Sequence, residues 1–295
     1  AVSPAPASRA ATAVAADELP CGRIVDRVVC AAEPTQSYAL YLPSGYTKER
    51  AWPIVYCFEP AARGRLPVEQ FQAAAERFGW IVVASWNSRN GSVTKSIAAG
   101  SAMWRDTHER FRIDERRIYT SGFSGGARIA TLVAMSCDGC IAGVIACGAG
   151  FPDTVETVDK QTPDKLRFAY FATVGMEDFN FAELSALGPT LDQLKMTNRV
   201  ARFDGAHEWA PSELLVEAVG WMEIEAIRSG ARPTDAGFVD ALYAEGLSRA
   251  RAHEAAGRVF DAWQLFESVH RQFSGLRDVA EAASGAKALA GDRRV

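Results

Sequence analysis

The stretch YTSGFSGGARIA, residues 119–130, sets Ser124 among three glycines. The residues before it, RRIYTSGF (116–123), read as a strand. Those after it, GGARIATLVAMS (125–136), carry apolar residues at helical spacing. Ser124 therefore falls where a strand turns sharply into a helix. Gly122 and Gly126 lack a Cβ, so strand and helix can close around it. The turn lifts the hydroxyl above the sheet. The Gly125 N–H points into the same space from a helix N-terminus, where negative charge is favoured. G-x-S-x-G between strand and helix is the arrangement of a serine nucleophile. A bare glycine-rich turn without reactivity competes with that reading, and the rest of the chain decides between them.

Apolar runs alternate with helical patterns over most of the length. GRIVDRVVCA, SYALYLPS, PIVYCF, WIVVASW, RRIYTSGF, IAGVIACGAG, LRFAYFATVG and NRVARFDG read as strands. VEQFQAAAERFG, TKSIAAGSAMWRDTHERF, GGARIATLVAMS, NFAELSALGPTLDQLK and PSELLVEAVGWMEIEAIRSG read as helices. Such alternation predicts an α/β fold with a mainly parallel, doubly wound sheet. Ligands of such sheets bind beyond the carboxyl ends of the strands. From GARPTDAG (230–237) onward no strand is evident, and three helical segments follow near 235–255, 257–272 and 275–290. Gly257, Ala262, Phe266 and Val269 are spaced as in the second half of a tetratricopeptide repeat, which the segment loosely resembles. About three repeats are needed for a solenoid, so a helical appendage is expected, packed on the main domain or on a protein partner. The organisation read from the sequence is a flexible leader at 1–18, a catalytic domain at 19–230 and a helical, tetratricopeptide-like appendage at 231–295.

The leader AVSPAPASRAATAVAADE is rich in Ala, Pro and Ser and lacks the apolar run of a signal peptide. A net charge of −4 over 295 residues argues against a nucleic-acid partner. No stretch is apolar and long enough to suggest a membrane span. Of the six cysteines, Cys137 and Cys140 form a CxxC at a helix end. A structural disulfide or buried thiols suit that placement better than a metal site, and a secreted or periplasmic location is modestly favoured over a cytoplasmic one.

A serine hydroxyl needs a base, and the chain holds four histidines. His108 precedes the serine in a charged helix, while His253 and His270 fall in the terminal helices. His207, in FDGAHEW, follows a strand and precedes a helix, so it belongs at the carboxyl edge with Ser124. The carboxylate that orients it should follow a strand lying between the two in sequence. Asp178, just beyond LRFAYFATVG, is the candidate, and the adjacent Glu177 is its rival. Asp153, Asp159 and Asp164 lie in a polar loop, and Asp204 falls in its strand. A second oxyanion donor is expected from the loop after the third strand, FEPAARGR. Pro60 has no N–H, which leaves Ala61, with Ala62 next.

With the elbow GFSGG, the acid loop GMEDFN and the histidine loop GAHEW in that order, the chain resembles the α/β-hydrolases from its second strand to the helix ending near residue 229. It is most similar to compact esterases of the dienelactone-hydrolase and polyhydroxybutyrate-depolymerase-like kind. It departs from a common pattern in carrying Glu59-Pro60 where His-Gly usually precedes the oxyanion donor. The resemblance implies catalytic Ser124, His207 and Asp178, an oxyanion hole of Gly125 and Ala61, and no metal or organic cofactor. Only FPDTVETVDKQTPDK (151–165) stands where the family often inserts a lid, so an open site without a large lid is expected. Such a site suits small-molecule esters or segments of a polymer. Phe123, Phe151, Phe179 and Trp209 are candidates for its rim, and Arg63 and Arg89 for holding a substrate carboxylate. Ester hydrolysis is the expected activity. An amidase or peptidase on the same three residues, or an inactive hydrolase fold that binds a partner, are the alternatives.

Overall fold

The computed structural model describes residues 19–152 and 166–293. The leader read over 1–18, and the part of the short inter-strand segment at 153–165 on which the absence of a lid rests, lie outside those residues. By its internal contacts the chain divides into two units, one ending at Val216 and one spanning Glu217–Val295.

The first unit is built on one eight-stranded sheet: β1 (Ile24–Val29), β2 (Ser37–Tyr41), β3 (Trp52–Phe58), β4 (Ile81–Ser85), β5 (Ile113–Phe123), β6 (Gly143–Cys147), β7 (Ala169–Gly175) and β8 (Asn198–Phe203). The spatial order is β1-β2-β4-β3-β5-β6-β7-β8. β1 and β2 pair antiparallel, and β2 pairs antiparallel with β4. From β4 to β8 every pairing is parallel. Connecting helices α1 (Arg65–Phe78), α2 (Val93–Arg110), α3 (Gly125–Ser136) and α4 (Phe181–Gln193) separate the parallel strands in sequence. This is the mainly parallel α/β architecture that the alternation predicts.

Helices carry the chain from β3 to β4, β4 to β5, β5 to β6 and β7 to β8, which lets these strands run parallel, and the strands read as unbroken apolar runs because both faces are covered. All seven residues of β3 are buried, as are all five of β4 and β6. Fully burying each Val, Ile or Phe stabilises by about 1.5–3 kcal/mol. In α1 the buried residues Pro67, Val68, Phe71, Ala74 and Ala75 form one stripe, and the helix stops at Gly79, whose φ of 72° is the left-handed cap that glycine tolerates. Six parallel strands therefore end at one edge of the sheet, and the loops leaving β3, β4, β5, β7 and β8 all emerge there.

The unit boundary falls inside α5 (Ser212–Arg228). The second unit continues with α6 (Ala236–Ala255), α7 (Val259–Phe273) and α8 (Ala280–Leu289). Its core gathers Ile224, Val239, Tyr243, Leu247, Phe266, Val269 and Phe273. A Cβ on Gly246 would lie 2.6 Å from Val269, and one on Gly285 would lie 2.7 Å from Phe266. Both glycines thus let neighbouring helices approach closely. Arg228 donates to the main-chain oxygens of Gln272 and Ser274, closing the end of α7. Ala262, Phe266 and Val269, singled out for their repeat-like spacing, are all buried. Among the described residues no helix is long and apolar enough to cross a membrane.

Candidate active site

Ser124 stands between the end of β5 and the start of α3 with φ 53° and ψ −123°. That backbone region disfavours a side chain and costs of order 1–3 kcal/mol. Its neighbours hold it there. A Cβ on Gly122 would lie 2.7 Å from the Ala127 nitrogen, and one on Gly126 would run into the Phe58 carbonyl. Strand, helix and β3 thus touch where only glycine fits. The Ser124 N–H donates to the Cys147 oxygen at 2.8 Å, and its own carbonyl accepts from Ala127 at 3.0 Å. Ala62 in the loop after β3 also has a positive φ, 58°. Two of the three such non-glycine residues among those described therefore lie in loops at this edge.

The imidazole of His207 reaches Ser124 from the loop after β8. Its Nε2 lies 2.9 Å from Ser124 Oγ. Its Nδ1 lies 2.9 Å from each oxygen of Asp178. Hydroxyl, imidazole and carboxylate thus form one chain of hydrogen bonds drawn from three loops. Asp178 is fully buried and His207 about one-fifth exposed. The acid loop and the histidine loop are clamped together: the Met176 amide donates to the Phe203 oxygen and the Glu177 amide to the Gly205 oxygen, each at 2.9 Å. Asn180 steadies the acid, its N–H donating to Asp178 Oδ1 and its Nδ2 to the Gly148 oxygen, both at 2.8 Å. Glu177 points to solvent and Asp204 is exposed, so of the carboxylates weighed among the described residues it is Asp178 that meets the imidazole. Asp153, Asp159 and Asp164 lie outside the described residues. His108 is held elsewhere, its Nδ1 at 2.7 Å from the Trp104 oxygen.

The aromatic candidates separate into two kinds. Phe123 and Trp209 are buried, as is Phe151. Phe123 lies 4.6 Å from the His207 ring and 5.8 Å from Trp209, so it packs beneath the imidazole instead of lining a rim. Phe179 is 75% exposed, although its ring centroid is only 4.0 Å from that of His207. It is the exposed ring of the set, and Met176 in the same loop is exposed as well.

The loop after β3 departs from expectation. The Ala61 N–H, expected at the oxyanion hole, donates instead to Glu59 Oε2 at 2.7 Å. The Arg63 N–H donates to the same oxygen at 2.9 Å, and Arg63 Nε to Oε1 at 2.9 Å. The Ala62 N–H is spent on the Glu59 main-chain oxygen at 3.1 Å. The physical reason is the buried carboxylate itself, which must gather donors where water cannot reach it. The same pairing commits Arg63 to Glu59, so it is not a free anchor for a substrate carboxylate. Arg89 is exposed on the loop after β4.

Three residues here escaped sequence reasoning. Gly148, with φ 65°, lies after β6 where a Cβ would come 2.7 Å from Phe123 and 3.3 Å from Asp178 Oδ2. Glu59 and Asn90 are the others. The departure from His-Gly marked Glu59, and the loop WNSRNG held Asn90, but nothing in their spacing told what they touch.

Burial pushes the Cys147 thiol up to about 11 and the Cys57 thiol well above its usual range, so the cysteines flanking β5 stay neutral and offer no thiolate. Among the described residues no group of three or more His, Cys, Asp or Glu side chains is placed to hold a metal ion. Cys137 and Cys140 form a disulfide just past α3.

Sheet order, crossovers and a strained serine at the strand–helix turn together define the α/β-hydrolase fold. The chain matches no protein-family model, and no curated protein matches it significantly in sequence. Solved structures do match in fold. A ferulic acid esterase superposes with a TM-score of 0.57 at 15% identity over 68% of this chain and 97% of its own. Est1E from Butyrivibrio proteoclasticus gives 0.51 at 14% identity, covering 65% and 95%. An S-formylglutathione hydrolase from Agrobacterium tumefaciens gives 0.50 at 13% identity, covering 63% and 88%.

Proposed function

We propose that this protein is a serine hydrolase that cleaves carboxylic esters through an acyl-enzyme. The observation that carries the reading is the unbroken series Ser124 Oγ, His207 and Asp178, with both links at 2.9 Å. Ser124 Oγ attacks the ester carbonyl while His207 Nε2 takes its proton. Asp178 accepts the Nδ1–H, fixes the tautomer and balances the imidazolium charge. The Gly125 N–H, at the head of α3, donates to the oxyanion. Collapse of the tetrahedral adduct expels the alcohol, which receives the proton from His207. Water then attacks the acyl-enzyme with His207 as base, releasing the acid and restoring Ser124.

Esters with an aromatic or short acyl group, free or as a segment of a polymer, are the substrate class we favour. The exposed Phe179 ring beside His207 supports it, since a flat group can stack there. The fold neighbours named as esterases agree with this reading. The Cys137–Cys140 disulfide favours a secreted or periplasmic setting.

The test is direct. Purified protein should hydrolyse p-nitrophenyl acetate and take one fluorophosphonate label, on Ser124. Ser124→Ala should lose both while its thermal unfolding is unchanged. Turnover near the wild-type rate in Ser124→Ala would defeat the reading.

A further inference from the structure

We propose that the second hydrogen bond to the oxyanion comes from the side-chain amide of Asn90, and not from the main chain of the loop after β3. The proposal rests on the serine-esterase reading above. Acyl transfer through a tetrahedral adduct is best served by two or more donors aimed at the developing negative oxygen. Gly125 supplies one. Residues 60–63 of the loop after β3 are poorly placed to supply another. Pro60 lacks an N–H, and the amides of Ala61, Ala62 and Arg63 are each spent on Glu59. Freeing the Ala61 amide would strip a donor from a carboxylate with no exposed surface, and leaving a buried charge short of donors is expensive.

Asn90 occupies the opening this leaves. Its loop, between β4 and α2, is fastened to the β3 loop by the Asn90 N–H, which donates to the Pro60 oxygen at 2.9 Å. Ser96 Oγ holds the neighbouring Arg89 oxygen at 3.3 Å. The backbone is thus fixed while the side chain projects onto the elbow. A Cβ placed on Gly125 would collide with Asn90 Oδ1, and would lie 2.9 Å from Cγ and 3.2 Å from Nδ2. The carboxamide therefore lies against the α-carbon of the residue that follows the nucleophile, beside the first N–H of α3. Among the described residues that carboxamide makes no hydrogen bond, so half a turn about its last bond exchanges oxygen for NH2 without breaking one. Turned in this way, Nδ2 would take the place of Oδ1 against Gly125, the residue that follows Ser124. The same geometry gives Gly125 a purpose beyond the sharp turn: any side chain there would evict Asn90.

Asn90→Ala should lower kcat for p-nitrophenyl acetate about 10²–10³-fold, the usual loss for one oxyanion donor, with KM changed less than threefold and thermal unfolding unaltered. Asn90→Asp, the same shape with a negative oxygen in place of NH2, should fall at least as far. Gly125→Ala keeps the main-chain N–H but displaces the carboxamide. Its loss should resemble that of Asn90→Ala, and the double variant should lose little more than either alone, since both remove one interaction. The rate of fluorophosphonate labelling should drop in parallel, because the phosphoryl oxygen uses the same donors. A kcat within threefold of wild type in both Asn90 variants would overturn the assignment while leaving the esterase reading intact. Wild-type protein that neither turns over esters nor takes the label would defeat the esterase reading itself.

Discussion

Two loops leave the carboxyl edge of the sheet carrying a fully buried carboxylate, and they do opposite things with it. Asp178, after β7, receives the Asn180 amide and turns both oxygens to the His207 imidazole. Glu59, after β3, is saturated by the amides of Ala61 and Arg63 and by the Arg63 guanidinium. One carboxylate faces an imidazole from another loop; the other ties its own loop into a fixed shape. The difference lies in who provides the donors. A carboxylate satisfied from within its loop is structural, whereas one completed by a titratable group from another strand is available for chemistry.

The largest effect should come from breaking the half of this pair that we propose to be catalytic. Asp178→Asn keeps size and burial but favours the wrong imidazole tautomer, so kcat should fall about 10⁴-fold with the melting temperature little changed, as steady-state kinetics and thermal unfolding will report. Glu59→Ala should show the reverse pattern. Two amides lose their acceptor, at about 1–3 kcal/mol each when buried, so urea unfolding should move to lower denaturant and the main loss should be stability. Glu59→Gln retains an acceptor and should cost less than Glu59→Ala. Equal loss of kcat in Asp178→Asn and a stably folded Glu59→Gln would erase the distinction.

A third carboxylate, in the helical unit, sharpens it. Glu225 has no amide cage. Burial pushes its carboxyl from 4.5 up to about 7, against the opposing pull of Arg228 and Arg271. The folded state therefore keeps this proton to higher pH than the unfolded chain does, and stability falls as pH rises from 4.5 through 7. Glu225→Gln should accordingly raise the thermal midpoint at pH 8, by about 2–4 °C for each kcal/mol recovered, and change it little at pH 4. An equal shift at both values would remove ionisation as the cause. The smallest effect belongs to the rim. Phe179→Ala should raise KM for an aryl ester about 2- to 10-fold, as the loss of one exposed stacking contact worth about 0.5–1.5 kcal/mol implies, while KM for a short alkyl ester stays near wild type.

Much of this was legible from residue order alone. The apolar runs and the helical patterns between them specify the alternation of β and α, because burial on both faces of a parallel sheet demands unbroken apolar strands. GFSGG announces the elbow, because a serine at φ 53° beside close-packed backbones needs glycine on both sides. His207 and Asp178 follow from their places just past strands that must end at one edge. Which residues meet across that edge depends on side-chain reach and on competition for hydrogen bonds, and neither has a period in the sequence. Only the folded arrangement turned Asp178 to the imidazole and Glu177 to water, pressed Phe123 and Trp209 into the interior, spent the Ala61 amide on Glu59 and set the Asn90 carboxamide on Gly125. Local spacing carries the pattern of burial along one element, but contacts between loops distant in the chain are decided when the packed sheet brings their ends together.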